Sequence, residues 1–462
     1  MTGSLTTTIR KLVAEDLSAP AAIGLLGEDR REFARQRVFS HLDRLAADED
    51  GFLQSIGGPE NEQHLARSVL DALFGLGRLQ TLVDNPEIEN IDVNGCDRVW
   101  ATFADGSKIQ MAPIADSDEE LVDMLRSAAS KFGISERRFD LARPELDLRL
   151  PDGSRLSALM AVSARPSVSI RRHRYADLSL ADLTTLGSID AGLASLLGAA
   201  VRARKNIVVA GAMNSGKTTL LRALAAEISP RERIVTIEQA FELGLDTASE
   251  RHPDMVALEA RPSNVEGEGL ISVADLVRRA LRMNADRVIV GEVLGDEVLP
   301  MLNAMSQGRS GSMCTIHADS SSGVFRRIAS YAVQARERLP LEATNLLIAG
   351  AIHFVVYLDS EIHDGVESAE DRSGGPEPWD TDHRDDVHSL RRFPSRSARR
   401  RFVSSIREVV DAEGVQVISN EIFRPGADRR AVSASPLRPE TLRELARCGY
   451  EPSGSVLSGV LA

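Results

Sequence analysis

Residues 211–218 read Gly-Ala-Met-Asn-Ser-Gly-Lys-Thr and fit the pattern G-x-x-x-x-G-K-[ST]. In such a loop the glycines let backbone N–H groups turn inward around phosphate oxygens, while Lys217 reaches the β- and γ-phosphates. The Thr218 hydroxyl is suited to hold Mg²⁺. The pattern therefore predicts a site for ATP and Mg²⁺, in which the cofactor is bound by Gly211, Asn214, Ser215, Gly216, Lys217, Thr218 and Thr219.

Three further polar residues, Glu238, Glu292 and His317, each lie just beyond the carboxyl end of a predicted strand. Ligands bind at that edge of an open α/β sheet, so we expect the three side chains to face the phosphate loop. A carboxylate there can hold Mg²⁺ or deprotonate the attacking water, and a histidine can donate to the γ-phosphate. Each residue taken alone could be a solvated loop residue, but the set indicates a hydrolytic site.

A change in the periodicity of apolar residues along the sequence indicates the strands and helices that must position these residues. Between about 191 and 360, short apolar strands alternate with helical segments, which is typical of a parallel sheet. The predicted strands are 207–210, 234–237, 288–290, 313–316 and 354–358. Alternating segments resume at 402–410 and 415–423, and we expect them to complete the sheet.

The N-terminal region has a different pattern. Leu65 and Val69 lie at helical spacing and predict an amphipathic helix that ends near Gly75. Two hairpins are predicted after it, with turns at 105–106 and 152–153. This region is therefore interpreted as a smaller, mixed α/β domain.

The stretch 361–400 is rich in Ser, Gly, Pro, His and charged residues and has few hydrophobic residues to offset the entropy of ordering. We expect it to be a disordered insertion. The predicted divisions are a helical, polar extension (1–60), an N-terminal α/β domain (61–174), a linker (175–190), a P-loop ATPase domain (191–360), the insertion (361–400), the C-terminal completion of the ATPase domain (401–450) and a tail (451–462).

Composition argues against several other classes of protein. The net charge of −13 disfavours a protein that mainly wraps nucleic acid, which is not expected as a partner. Cys96, Cys314 and Cys448 are far apart in sequence, so neither a disulfide framework nor a zinc site is indicated. Polar residues interrupt the most apolar stretch, 341–358, and the first thirty residues do not form a signal peptide. A cytoplasmic protein is predicted.

Several segments resemble the sequence boxes of the type II/type IV secretion ATPases. Residues 287–293 (RVIVGEV) resemble the Walker B box, 308–318 (GRSGSMCTIHA) the histidine box and 237–243 (IEQAFEL) the acidic box. Residues 75–95 and 150–155 are similar to the CpaF-like branch, which drives tight-adherence (Tad) pilus assembly. The resemblance implies an α/β fold: a RecA-like P-loop NTPase domain with a mostly parallel sheet, preceded by a smaller α/β N-terminal domain.

The resemblance also implies roles for individual residues. Glu292 corresponds to the Walker B glutamate and, with Thr218, to the metal site. Glu238 and Glu242 correspond to the acidic-box carboxylates, and His317 to the histidine-box residue. The chain departs from the branch's usual residues at 212–214 and at Gln239, Leu294 and Arg309.

Members of this superfamily form hexameric rings in which the N-terminal domain closes over nucleotide. The resemblance therefore implies a homohexameric ATP-hydrolysing motor for pilus assembly or protein secretion. It would bind an inner-membrane platform protein and lie at the inner face of the cell membrane.

Arg149, Arg155 and Arg171 lie on strand-like segments near the predicted domain boundary. They could be solvated strand arginines. In a motor that closes over its nucleotide, however, the planar guanidinium is suited to grip a γ-phosphate. We therefore predict that at least one of them contacts nucleotide across the domain cleft.

Two other functions stay open at this point. One is a RecA-like DNA-translocating ATPase, against which the net acidity and the lack of a basic stretch interleaved with aromatic residues both count. The other is a nucleotide-binding assembly subunit that has lost hydrolysis, which the departures from the usual boxes would fit.

Overall fold

The computed structural model describes residues 2–22, 24–48, 59–103, 106–132, 138–172, 178–247, 250–261, 263, 267–306, 310–362, 392–393 and 399–451. These residues fall into two compact units. The first unit comprises the described parts of residues 1–174 and 366–396, and the second those of 175–365 and 397–462. None of the described helices combines the length and the hydrophobicity needed to cross a membrane.

Three helices begin the first unit: α1 (Thr2–Ser18), α2 (Gly27–Asp48) and α3 (Pro59–Phe74). Apolar residues recur along them at helical spacing, so each helix has one face to bury. That shared core includes Ile9, Val13, Val38, Leu65 and Val69. The segment 1–60, expected as a polar extension, thus supplies two helices to a core that it shares with α3.

An antiparallel sheet forms the rest of the first unit. Its strands are β1 (Ile88–Asn94), β2 (Val99–Phe103), β3 (Lys108–Met111), β4 (Glu145–Arg149), β5 (Arg155–Leu159), β6 (Ser167–Arg171) and β13 (Arg392–Phe393). They are ordered β13-β3-β2-β1-β6-β5-β4. Helices α4 (Leu79–Asp84) and α5 (Asp118–Phe132) pack on the sheet through Leu79, Leu121 and Leu125.

Both predicted hairpins are present. β2 and β3 pair in register, with Val99 opposite Met111 and Thr102 opposite Lys108. Asp105, in the predicted turn between them, lies outside the described residues. β4 and β5 meet at a turn in which the Leu150 N–H donates to the Ser154 carbonyl over 2.8 Å.

β13 lies within the stretch for which a disordered insertion was predicted. Arg392 pairs with Ile109 and Phe393 with Lys108, so two residues of that stretch add an edge strand to the first sheet. Residues 363–391 and 394–398 lie outside the described residues. A strand of two residues gives no sequence period, which is why the composition of the stretch could not indicate it.

The second unit is built on a larger sheet. Its strands are β7 (Ile207–Gly211), β8 (Ile234–Glu238), β9 (Met255–Glu259), β10 (Arg287–Val293), β11 (Met313–His317), β12 (Phe354–Ile362), β14 (Arg399–Glu413), β15 (Gln416–Pro425) and β16 (Ala431–Ser433). The order is β16-β15-β14-β12-β7-β11-β10-β8-β9. The strands from β12 to β9 in that order are parallel, and β14, β15 and β16 are antiparallel.

Helices cover both faces of this sheet, which explains why β7 is apolar along its whole length and every one of its residues is buried. The helices are α6 (Leu180–Thr185), α7 (Ala191–Arg202), α8 (Lys217–Ala225), α9 (Val273–Ala280), α10 (Val298–Ser306), α11 (Gly323–Gln334), α12 (Leu341–Ala351) and α13 (Pro439–Arg447). Two cores result, one on each face.

The five predicted strands between residues 207 and 358 are all present in this sheet. β9 and β16 were not predicted. The β9 sequence, Met-Val-Ala-Leu-Glu, has an apolar run of only four residues, and a run this short does not distinguish a strand from a buried helical segment. Its parallel pairing with β8 identifies it as a strand.

Asn206 immediately precedes β7 and fixes the amino end of the sheet. Its side-chain oxygen accepts from the N–H groups of Gly311 (2.8 Å) and Ser312 (3.0 Å). Its side-chain nitrogen donates to the carbonyls of Met305 (3.0 Å) and Ala351 (2.6 Å). Since Asn206 is 0% exposed, this one side chain joins α10, α12 and the start of β11 to the central strand.

His353 stands beside Asn206 and accepts that residue's backbone N–H at Nδ1, over 3.0 Å. Burial, reinforced by the nearby Lys205 ammonium, lowers the pKa of His353 to about 4. His353 is therefore a neutral acceptor at this end of the sheet.

Candidate nucleotide site

The phosphate loop connects the end of β7 to the start of α8, as the sequence predicted. A Cβ on Gly211 would lie 2.4 Å from Ser215 Oγ and 2.6 Å from the Leu358 carbonyl, so only glycine fits there. Gly216 caps α8 with φ +93°, a left-handed conformation that glycine adopts without strain. Asn214 is also left-handed, with φ +60°. The tight turn of the loop thus depends on two glycines, Gly211 and Gly216, and on Asn214, a residue that tolerates the left-handed conformation.

Two side chains of the loop have the character of ligand-binding groups. Ser215 is 1% exposed, and its hydroxyl has no hydrogen-bond partner among the described residues. The Lys217 ammonium donates to the loop's own carbonyls, at 2.8 Å from Ala212 O and 3.3 Å from Gly211 O. Thr218 and Thr219 follow, half-buried in the first turn of α8.

Lys217, His317 and Glu292 form a continuous chain of contacts. Lys217 Nζ lies 3.2 Å from His317 Nδ1, and His317 Nε2 lies 2.6 Å from Glu292 Oε1. A lysine ammonium can only donate, so Nδ1 accepts and Nε2 carries the hydrogen that is donated to the carboxylate. The histidine therefore fixes Glu292 with respect to the phosphate loop. Adjacent parallel strands β11 and β10 supply His317 and Glu292.

Glu238 is placed differently from Glu292, although both end neighbouring strands. Its Oε2 accepts the backbone N–H groups of Glu242 and Leu243, each over 2.8 Å. Burial raises the pKa of Glu238 to about 7, against the lowering effect of these two hydrogen bonds. In this structure Glu238 stabilises the turn that carries Glu242.

Arg222 also supports that turn. It lies in α8, is 6% exposed, and donates from Nη2 to the backbone carbonyl of Glu242. The helix that begins with Lys217 is therefore linked directly to the acidic segment. Sequence reasoning missed Arg222, although one signal was available: it is the only charged residue in the apolar run 220–226.

Arg401 is the second residue that sequence reasoning missed. It lies on β14, and its Nε donates to the carbonyl of Asn214 over 2.9 Å. Nothing in the sequence connects the two, because they are far apart along the chain and the contact depends on the pairing of β14 with β12.

Three of the predicted departures from the usual boxes lie on the surface. Met213 in the phosphate loop and Leu294 after β10 are exposed large hydrophobic residues, and Gln239 is exposed. The side chain of Glu297 accepts the backbone N–H of Leu294. Arg309 lies outside the described residues.

In the first unit, Arg149, Arg155 and Arg171 stand side by side on β4, β5 and β6. Arg149 is opposite Arg155, and Arg155 is opposite Arg171. The residues next to them, Leu148 and Ile170 among others, are buried, so the arginines lie on the face of the sheet away from its core. Arg155 Nη2 lies 3.7 Å from Asp147 Oδ1. The sequence predicted three separate strand arginines, and the structure brings them into one row.

The residues of the loop fit the phosphates of a nucleotide. The buried hydroxyl of Ser215 lacks a partner among the described residues. The Lys217 ammonium contacts the carbonyls of its own loop and His317. Thr218 lies in the first turn of α8, a helix whose N-terminus favours anions. Glu292 and Thr218 offer the oxygen ligands that Mg²⁺ prefers.

A phosphate loop between a central parallel strand and a helix, with an acidic residue and a histidine on the two neighbouring strand ends, defines the class of P-loop ATPases with a RecA-like fold. Comparison with known families makes this more specific. The family described as "Type II/IV secretion system protein" matches residues 74–382, more than half of the chain. The chain belongs to this family and is one of its ATPases.

Curated relatives agree with this family. A putative conjugal transfer protein of Mycobacterium tuberculosis is 36% identical over 295 residues, which cover 62% of this chain and 80% of that protein. The type IV secretion system protein VirB11 of Brucella suis is 30% identical over 321 residues, covering 63% of this chain and 87% of VirB11. Among solved structures, that of the Brucella suis VirB11 ATPase with sulphate is similar with a TM-score of 0.33 and 28% identity, covering 66% and 94%.

Proposed function

We propose that this ATPase is a homohexameric motor that uses Mg²⁺ and ATP to drive a type IV secretion or pilus assembly system. It would act at the cytoplasmic face of the inner membrane, bound to a platform protein of that system. The similarity of residues 75–95 and 150–155 to the CpaF-like branch favours Tad pilus assembly as the system. The observation that carries the proposal is the chain of contacts from Lys217 through His317 to Glu292.

In this proposal each residue of the site has a distinct task. Lys217 and the loop amides of Asn214, Ser215 and Gly216 bind the phosphates, and Thr218 and Glu292 hold Mg²⁺. Glu292 also accepts the proton of the attacking water, as a general base does. His317 keeps Glu292 in place and can report the loss of the γ-phosphate.

Glu242 is the acidic-box residue that we expect to take part in hydrolysis directly. Glu238 would act beside it as the buried carboxylate that holds the backbone of residues 242 and 243.

Substitution of the two charged residues should separate binding from hydrolysis. Lys217→Ala should abolish both nucleotide binding and turnover, because the phosphates lose their main charged partner. Glu292→Gln should keep ATP binding but reduce turnover by about a hundredfold or more, since an amide cannot act as a base. Lys205→Ala is the matched control, because Lys205 lies before β7 and pairs with Glu444. Steady-state hydrolysis by Glu292→Gln at a near wild-type rate would show that the catalytic assignment is wrong.

The hexamer can be tested by light scattering on the purified chain, with and without ATP. We expect a mass close to six chains, favoured by nucleotide. Only monomer at micromolar concentration under both conditions would contradict the motor.

The row of Arg149, Arg155 and Arg171 is proposed to supply at least one contact to the nucleotide phosphates. Replacing the contacting arginine by alanine should lower turnover by about a hundredfold, as removal of an arginine finger does. Arg98→Ala on an exposed loop of the same unit is the control. If all three single variants stay within about threefold of the wild type, roughly 0.7 kcal/mol, the row has no part in hydrolysis.

DNA translocation is a second candidate, because one relative is named a putative conjugal transfer protein. Stimulation of ATP turnover by single- or double-stranded DNA would support it. The formal net charge of −13 favours the secretion motor instead.

A further inference from the structure

Arg401 lies against the phosphate loop at two points. Its Nε donates to the carbonyl of Asn214 over 2.9 Å. Its Cδ and Cβ would lie 3.3 and 3.9 Å from a Cβ placed on Gly216, so the aliphatic part of the side chain packs against that glycine. One side chain from β14 therefore contacts both left-handed residues of the loop.

These two residues are where the loop most needs support. A left-handed, non-glycine residue such as Asn214 is held at an energetic cost and persists only when its surroundings fix it. A carbonyl that points to the outside of the loop leaves the neighbouring N–H groups free to point inward, toward phosphate oxygens. The hydrogen bond from Arg401 fixes that carbonyl.

The register of the sheet brings Arg401 to this position. β12 pairs with β7 on one side, where Leu358 is opposite Gly211, and with β14 on the other, where Ser360 is opposite Arg401. Arg401 thus lies on the second strand from β7, at the edge where the phosphate loop emerges. The terminal amino groups of its guanidinium have no hydrogen-bond or ion-pair partner among the described residues, so the Asn214 carbonyl is the group that Arg401 binds.

We propose that Arg401 is a positioning residue of the nucleotide site, which holds the phosphate loop in its binding conformation before nucleotide arrives. This inference rests on the proposed function, since it takes residues 211–218 as the phosphate site. Arg401 acts through the loop backbone, and its effect is on affinity more than on the chemical step.

The test uses three variants of the full chain. Arg401→Met keeps most of the aliphatic part but removes the donor, whereas Arg401→Lys keeps a cationic donor. Arg400→Ala is the matched control, because Arg400 is the exposed neighbour on the same strand, and successive side chains of a strand point to opposite faces.

The first measurement is the Kd for fluorescent Mg·ADP. We expect Arg401→Met to raise Kd about tenfold, equivalent to about 1.4 kcal/mol. Arg401→Lys should stay within about threefold of the wild type, and Arg400→Ala within about twofold. In steady-state kinetics Arg401→Met should raise KM for ATP by a larger factor than it lowers kcat.

The second measurement is hydrogen exchange of the nucleotide-free protein. Peptides covering residues 211–218 should exchange faster in Arg401→Met than in the wild type, and the rest of the second unit should exchange at the same rate. Faster exchange throughout the unit, or a loss of thermal stability shared by Arg401→Met and Arg401→Lys, would overturn the inference, because Arg401 would then be only structural.

The outcomes also separate this inference from the proposed function. If the wild type binds Mg·ADP and Arg401→Met has the same Kd and the same exchange at 211–218, the role of Arg401 is wrong and the proposed function stands. If neither the wild type nor Arg400→Ala binds Mg·ADP or Mg·ATP, the proposed function itself is wrong.

Discussion

The two ends of β7 differ in how their polar groups are satisfied. At the amino end, Asn206 uses both side-chain donors and its oxygen in four hydrogen bonds, and His353 accepts its backbone N–H. At the carboxyl end, the buried Ser215 hydroxyl of the phosphate loop has no partner among the described residues.

This difference separates scaffold from site within a single strand. Buried polar groups are nearly always paired in folded proteins, so an unpaired one needs a reason. Asn206 and His353 have partners only within the protein, and we expect their loss to affect stability. Ser215 belongs to a loop whose motif binds phosphate, and we expect its loss to affect ligand binding.

The largest effect on folding is expected for Asn206→Ala. Removing this side chain leaves four buried backbone groups without their partners, which should reduce the free energy of unfolding by about 3–4 kcal/mol. Urea unfolding would measure the change. Asn303→Ala on α10 is the control and should cost less than about 1 kcal/mol, since the Asn303 side chain makes no hydrogen bond within the described ranges. If the two variants lower the free energy of unfolding equally, the hydrogen bonds of Asn206 do not make the amino end of β7 a stabilising scaffold.

The second prediction concerns acid and His353. The folded pKa of about 4 lies below the ordinary value of 6.5, so between these pH values the unfolded chain binds more protons than the folded one. The stability contributed by neutral His353 is complete above pH 6.5 and is lost as the pH falls toward 4. We expect the difference in unfolding free energy between the wild type and His353→Gln to shrink by about 2–3 kcal/mol from pH 7 to pH 4.5. A difference that does not change with pH would contradict this.

Glu238 should show the opposite pH dependence. Its folded pKa of about 7 lies above the ordinary 4.5, so the folded chain keeps a proton that the unfolded chain loses. Stability from this group is therefore complete below pH 4.5 and is lost as the pH rises through 7. The oxygen of Glu238→Gln can still accept the two N–H groups. Between pH 5 and pH 8 the free energy of unfolding of this variant should rise by about 2 kcal/mol relative to that of the wild type. Parallel stability curves for the two proteins would refute the prediction.

The smallest effect on folding is expected for Ser215→Ala. Removing a buried hydroxyl that has no partner should change the unfolding free energy by less than about 1 kcal/mol, or stabilise the protein slightly. Affinity for Mg·ADP should nevertheless fall several-fold. Ser312→Ala is the matched variant at the other end, because Ser312 Oγ accepts the Val288 N–H. Ser312→Ala should lower the free energy of unfolding without lowering the affinity for Mg·ADP. If Ser312→Ala lowers affinity and Ser215→Ala lowers stability instead, the assignment of scaffold and site to the two ends is wrong.

The sequence was sufficient for those parts of the site that depend on local order. The phosphate loop has its chemistry within eight residues, and Glu292 and His317 follow apolar strands, so their common edge could be predicted. The contact of His317 with both Lys217 and Glu292 needed the structure, because spacing along the chain contains no side-chain direction.

The sequence was insufficient where a role depends on distant partners. Asn206 is, by sequence, one polar residue before a strand, and its four bonds exist only once α10, α12 and β11 are in place. Glu238 was expected at the same edge as Glu292, and the sequence did not indicate that the turn after β8 would bring two backbone N–H groups to its carboxylate. That turn follows from tertiary packing, including the buried Arg222, and not from a period in the sequence.

The central position of β7 has a consequence for the order of events during synthesis. Both strands that flank it, β11 and β12, come later in the chain, and β12 pairs with it across about 150 residues. At the usual pace of 5–20 residues per second, the ribosome needs roughly eight to thirty seconds to supply that partner. For most of that interval β7 has neither of its neighbours, because β11 also lies about 100 residues further along the chain, and until the end of the interval it lacks β12. Competence to bind nucleotide therefore arises late in translation, and the newly made strand is the segment that a chaperone would have to protect.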